Sequence, residues 1–218
     1  MTDHDLDSPD WPLTVTAWCV AAAATLSGPV SAIVTIYEGE RPWHDAQSYA
    51  GHADWLQQTP LWIGFALEAA SVLLVVRMAS LAFERHRTRS LLSIVVVAIY
   101  AAVITVNFAL QITSVPVQMT NRTTPISALE IFGYGVLGIA TAVLAEAIPT
   151  HTRRKRMIRW LLRSNGVLSL GGLIVTSASL GWVQTAAGLA SFVGWNLLIV
   201  VSMLLIGFEY MPPKARAI

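Results

Sequence analysis

The chain has 218 residues, 55% of them hydrophobic and 12% charged, with a formal net charge of +1. A soluble domain carries about 25% charged residues, so a chain this apolar lacks the polar side chains to cover a water-facing surface. The near-neutral balance gives no basis for a nucleic-acid partner, and the single cysteine, Cys19, excludes an intrachain disulfide, a thiol-pair redox centre and a cysteine metal site.

A spanning helix needs about 20 apolar residues, because the hydrocarbon core is about 30 Å thick. Six segments qualify, so the expected fold class is all-α, a polytopic bundle of six transmembrane helices forming a single domain. The chain opens on MTDHDLDSPD, an acidic stretch read as a cytoplasmic tail over residues 1–10. It lacks the positive n-region of a signal peptide, and the apolar run that follows is long enough to be retained.

The first predicted helix covers residues 13–37. Cys19 is expected there as a small packing residue. Ser27, Pro29 and Ser31 interrupt the run at mid-depth, and the proline frees a backbone carbonyl that could line a cavity. Residues 38–60 are expected to form an extracytoplasmic loop. His44, Asp45, His52 and Asp54 are weak candidates there for a divalent metal, although their spacing matches no defined ligand motif. Trp43, Tyr49 and Trp55 suit a short amphipathic segment lying on the membrane over a cavity mouth.

The second helix, 61–83, carries Glu68 about two turns from one end and Arg77 about two turns from the other. The third, 91–113, carries Asn107 and Gln111 at i, i+4, hence on one face. Asn121-Arg-Thr, in the next loop, is a glycosylation sequon with meaning only in a eukaryotic secretory pathway. The fourth helix, 127–148, carries Glu130 and, one turn on, Tyr134. Gly133-Tyr-Gly-Val-Leu-Gly138 matches G-x-G-x-x-G, but inside a spanning helix it reads as close helix packing rather than a nucleotide site. Gly166, Gly171 and Gly172 invite the same reading in the fifth helix, 158–180, which also holds Arg163 and Asn165. The sixth helix, 187–208, holds Asn196 near its middle. Arg77–Glu146 and Arg163–Glu84 are the inner ion pairs that the depths allow.

Positive charge fixes orientation. Arg85, Arg87 and Arg89 fall in one loop, Arg153, Arg154, Lys155 and Arg156 in another with Arg159 just beyond, and Lys214 and Arg216 in the tail. With six spans all of these lie on one side, and only Arg41 and Arg122 lie on the other. The expected location is the cell membrane, multi-pass, with both termini cytoplasmic. Trp11, Trp55, Trp62, Trp160, Trp182 and Tyr210 sit at predicted helix ends, where amphipathic rings prefer the interface. The basic run THTRRKRMIR suits contact with anionic lipid headgroups. Twelve arginines against two lysines point to a GC-rich genome and so to a bacterial inner membrane.

Ionisable groups inside a bilayer are costly and face a bundle interior or a water-filled cavity. Glu68, Asn107, Gln111, Glu130 and Tyr134 are expected at similar depth in the outer leaflet, with Asn196 deeper, as a candidate ligand-binding set. Two carboxylates there can bind a cation, accept an amine-bearing ligand or relay protons. The alternative is an interhelical hydrogen-bond network that only holds the bundle together. Ala66-Leu-Glu68 and Ala128-Leu-Glu130 also align at an offset of 62 residues, with Glu84 on Glu146, as in a duplicated helix pair.

No nucleophile–base pair, P-loop or zincin helix is present, and all five histidines fall outside the predicted spans, which removes bis-histidine haem ligation. No cofactor is expected and no catalytic residue is assigned. Gln111-Ile-Thr-Ser-Val-Pro116, Leu129-Glu-Ile-Phe-Gly-Tyr-Gly135 and Arg159-Trp-Leu-Leu-Arg-Ser-Asn-Gly-Val-Leu168 resemble short motifs of a loose group of bacterial six-helix membrane proteins of unknown function, over about residues 60–210. The resemblance implies a six-helix bundle and no established activity. The leading functional expectation is a membrane protein that binds or moves a small molecule or ion. The alternatives are a structural or regulatory subunit acting through helix contacts, and an intramembrane enzyme acting on lipid. Membrane lipids, a second copy or a membrane partner are the expected associates.

Overall fold

The computed structural model describes residues 8–38, 55–114, 125–179 and 185–212. Its elements are six helices: α1 Trp11–Glu38, α2 Trp55–Ala82, α3 Arg87–Ser114, α4 Pro125–Ala145, α5 Arg153–Ala178 and α6 Ala186–Tyr210. Among the described residues there is no strand. The helix starts follow local capping chemistry. Asp10 Oδ1 accepts from Leu13 N at 2.8 Å, Thr152 Oγ1 from Lys155 N at 3.1 Å and Thr185 Oγ1 from Gly188 N at 3.1 Å.

Some boundaries differ from the sequence expectation. Helix α2 begins at Trp55, so the last part of the expected loop 38–60 is helical, with Pro60 inside it. Helix α4 stops at Ala145 rather than at 148. Helix α5 begins at Arg153, so the basic run forms its first two turns instead of a loop. Helix α1 runs through Pro29 without a break.

Each helix packs on its sequence neighbours, and α6 packs back on α1, so the six form a closed ring; α2 also touches α4 across it. Contacts at one end establish that the helices alternate in direction. Asp10, before α1, meets Arg77 in the last two turns of α2 and the carbonyl of Tyr210 at the end of α6. Arg89 in α3 reaches the carbonyl of Glu146 just past α4, and Arg154 in α5 reaches Glu209 in α6. This is the charged end.

Small residues set the closest approaches. A Cβ on Gly138 would lie 2.2 Å from Ser169 Cβ, and one on Gly166 would lie 2.4 Å from Ala142 Cβ. Gly133 abuts Ile104 of α3 in the same way. The G-x-G-x-x-G run is therefore a packing surface, as its position in a helix implied. Gly171 and Gly172 depart from that reading, since nothing lies within 4 Å of a Cβ at either.

The outside of the ring is apolar. Val167, Ile174, Leu73, Leu197 and Val95 are each more than half exposed. Three helices are long and apolar enough to cross a membrane: Thr59–Ala82, Arg87–Leu110 and Ala186–Tyr210. Trp11–Ser27 and Leu129–Ala145 are shorter apolar stretches. Cys19 is exposed on this outer surface, contrary to its expected packing role. Tyr210 lies at the end of α6. It is buried, and Lys155 Nζ lies 5.8 Å from its ring centre.

Candidate functional site

Helices α2, α3, α4 and α6 bring an acidic and aromatic group of side chains together inside the ring. Tyr100, on the buried face of α3, lies 6.3 Å from Tyr134 of α4, and Tyr134 lies 4.9 Å from Trp195 of α6, edge to face. Glu68 and Glu130 both come within electrostatic reach of the two phenols. Glu130 and Tyr134 are half-buried on α4, and Tyr134 packs against the apolar core.

The polar atoms here are poorly satisfied. Glu68 is buried, and its Oε1 accepts from Thr105 Oγ1 at 2.6 Å, but its Oε2 has no partner. Asn107 is fully buried with neither Nδ2 nor Oδ1 bonded, and the Tyr100 hydroxyl is likewise unpaired. A buried polar group without a partner costs about 1–3 kcal/mol. Elsewhere in the ring Asn165 Oδ1 and Ser90 Oγ are also buried without a partner, and other polar side chains are paired. Trp195 Nε1 donates to Ser169 Oγ at 2.8 Å, and Asn165 Nδ2 to Thr141 Oγ1 at 3.4 Å. These tie α4, α5 and α6 together and serve as interhelical glue.

Of the expected set, Glu68, Glu130 and Tyr134 are brought together, and Asn107 is buried on the same face of α3 as Tyr100. Asn196 has a buried, unpaired Oδ1, but no described contact joins it to the acidic pair. The Gln111 side chain and all of His44, Asp45, His52 and Asp54 lie outside the described residues. Among the described residues no group of three metal-ligating side chains occurs. Sequence reasoning missed Tyr100 and Trp195. The spacing of Tyr100 and Asn107, two turns apart, was the available signal for the first.

The charged end is organised around two carboxylates. Asp10, expected in a solvated tail, is instead buried and accepts from both Nε and Nη2 of Arg77. Glu146 sits just beyond the end of α4 and holds Arg163 through both its oxygens and Arg159 Nη2 at 2.5 Å. The expected pairs Arg77–Glu146 and Arg163–Glu84 are therefore replaced by Arg77–Asp10 and Arg163–Glu146. Glu84 is exposed, so the proposed equivalence of Glu84 and Glu146 has no counterpart in their surroundings.

Hydrogen bonds from Arg163, then from Arg159, hold the Glu146 carboxyl down at about 2. Its folded value is depressed, so its stabilisation is complete above the ordinary carboxylate value of about 4.3 and is lost as pH falls toward 2. Melting followed by circular dichroism between roughly pH 5 and pH 3 is expected to fall more steeply in the wild type than in Glu146→Gln. Parallel slopes would contradict the pairing.

No family model, curated protein or solved structure matches the chain. Its function therefore has to be read from its own residues.

Proposed function

We propose that all six helices span a membrane, with the charged end and both termini in the cytoplasm, and that the acidic and aromatic interior binds a small organic cation. The apolar outer surface, the arginines gathered at one end and the alternating helix directions support the membrane reading. Helix α5 begins with two basic turns, and its outward Val167 and Ile174 give it an apolar surface beyond them. The observation that carries the binding reading is the convergence of Glu68 and Glu130 on Tyr100 and Tyr134, with Glu68 Oε2 unpaired. Carboxylates compensate a desolvated positive charge, and aromatic faces attract it. An alkylammonium headgroup would use both at once.

The test is native mass spectrometry of the full chain in mild detergent, with tetramethylammonium as the probe. Wild type is expected to carry the probe, and Glu68→Gln and Glu130→Gln each to bind it at least tenfold more weakly while still folding. Binding equal to wild type in both variants would remove the proposal.

A second reading, a subunit that docks another membrane helix, is favoured by Gly171 and Gly172, which have no neighbour on α5. On that reading Gly171→Leu leaves the isolated fold intact and abolishes assembly.

A further inference from the structure

The charged end holds a cavity of about 390 Å³. Its wall comes from the end of α2, the α2–α3 turn, the α4–α5 turn, the first turn of α3 and the second turn of α5. Arg85, His86, Arg89 and Arg159 line it together with Glu146, over an apolar floor that includes Leu81 and Ile148. Three guanidinium groups thus face one carboxylate.

That carboxylate is already committed. Arg163, which does not line the cavity, bonds both of its oxygens, and Arg159 takes one of them as well. Little of the Glu146 charge is therefore left for a further donor of the lining. Arg89 is held in place by its bond to the Glu146 carbonyl at 3.0 Å, and this bond uses a single Nη1 donor. Arg159 has its Nε buried with no acceptor. That donor is shut off from the cavity, so what the lining offers an occupant is the remaining guanidinium N–H groups of Arg85, Arg89 and Arg159. Arginine forks match the oxygens of a phosphate in pairs, which a lone chloride does not exploit.

We propose that this cavity binds a phosphate group. Arg85, Arg89 and Arg159 supply the donors, while Glu146 positions Arg159 and is not itself a ligand. The phosphate can belong to an anionic lipid headgroup or to free phosphate, and both present the same oxygens. The lipid source rests on the six-span reading, which places the cavity at the cytoplasmic membrane face; the free source does not.

The test uses the full chain in mild detergent and two probes. One is inorganic phosphate, compared with sodium chloride at equal ionic strength. The other is phosphatidic acid, compared with phosphatidylcholine. Binding is read by thermal shift and by native mass spectrometry. Stabilisation by both probes means that the phosphate alone is recognised, and stabilisation by phosphatidic acid alone assigns the lipid source. Either result supports the proposal if Arg85→Gln and Arg89→Gln weaken binding about tenfold each. Arg85 is exposed on a turn, so Arg85→Gln is expected to fold even where a change at Arg159 does not. Arg154→Gln is the control, since that side chain pairs with Glu209 away from the cavity. The proposal is overturned if neither probe exceeds its control, or if Arg154→Gln weakens binding as much as Arg85→Gln does. These outcomes are independent of tetramethylammonium binding.

Discussion

Gly166→Leu is expected to prevent the bundle from forming, whereas Gly171→Leu, little more than one turn away, is expected to be nearly neutral. At Gly166 even a Cβ would lie 2.4 Å from Ala142 Cβ and 2.8 Å from the Gly138 carbonyl oxygen. The carbonyl is backbone of the facing helix and cannot rotate aside. Helices α4 and α5 would have to separate, and the Asn165–Thr141 bond beside them would lengthen further from its 3.4 Å. Over-packing a core that can shift costs about 1–3 kcal/mol, and here two backbones must move, so the cost should reach or exceed the top of that range. At Gly171 nothing lies within 4 Å of an added Cβ. Thermal unfolding of the two variants in the same detergent checks the contrast. Equal losses would mean that α4 and α5 are not in the close contact described.

The second large effect is expected at Asp10. Its carboxylate caps α1, bonds Arg77 of α2 and follows a backbone N–H that donates to Tyr210 of α6 at 2.8 Å, so it joins three helices. Asp10→Ala removes the cap, worth about 1 kcal/mol. It also leaves the Arg77 charge without its partner, which costs about 3–5 kcal/mol for a fully buried pair. The Arg77 side chain is 36% exposed, so solvent or headgroups recover part of that. A total of about 2–4 kcal/mol is expected. Asp10→Asn keeps the capping oxygen and loses the charge, so it should fall between wild type and Asp10→Ala. Denaturant titration orders the three proteins. If Asp10→Ala unfolds with the wild type, the α1–α2–α6 junction is not held by this residue.

The number of helices was legible in the sequence because each apolar run is long and bounded by charge or by turn residues. The ends were less so. A span ends where hydrophobicity ends, but a helix ends where its backbone bonds end. Arg153 to Arg159 are charged and still helical, since Thr152 caps them. Glu68, Glu130 and Tyr134 were readable because a carboxylate in an apolar run has few uses. Tyr100 and Trp195 were not, because an aromatic in such a run looks like ordinary core. Their roles depend on how α3 and α6 are rotated about their axes. The same holds for the ion pairs. Depth along the helices allowed Arg77–Glu146 and Arg163–Glu84, but the ring order places α2 beside α1, and so Arg77 beside Asp10. Asp10 itself sat among several acidic residues that gave no sign of which one was buried.

Whether α5 crosses the membrane decides the whole arrangement, because it is the helix with the most basic start. A cysteine-free background, Cys19→Ala, allows a direct test with single cysteines at Thr150→Cys and Ser179→Cys, exposed positions on either side of α5. A membrane-impermeant maleimide applied to intact cells should label Ser179→Cys at once. Thr150→Cys should react only after the cells are permeabilised. Labelling of both positions from the same side would mean that α5 does not span, and it would remove the six-span account and the outward-facing cation site together.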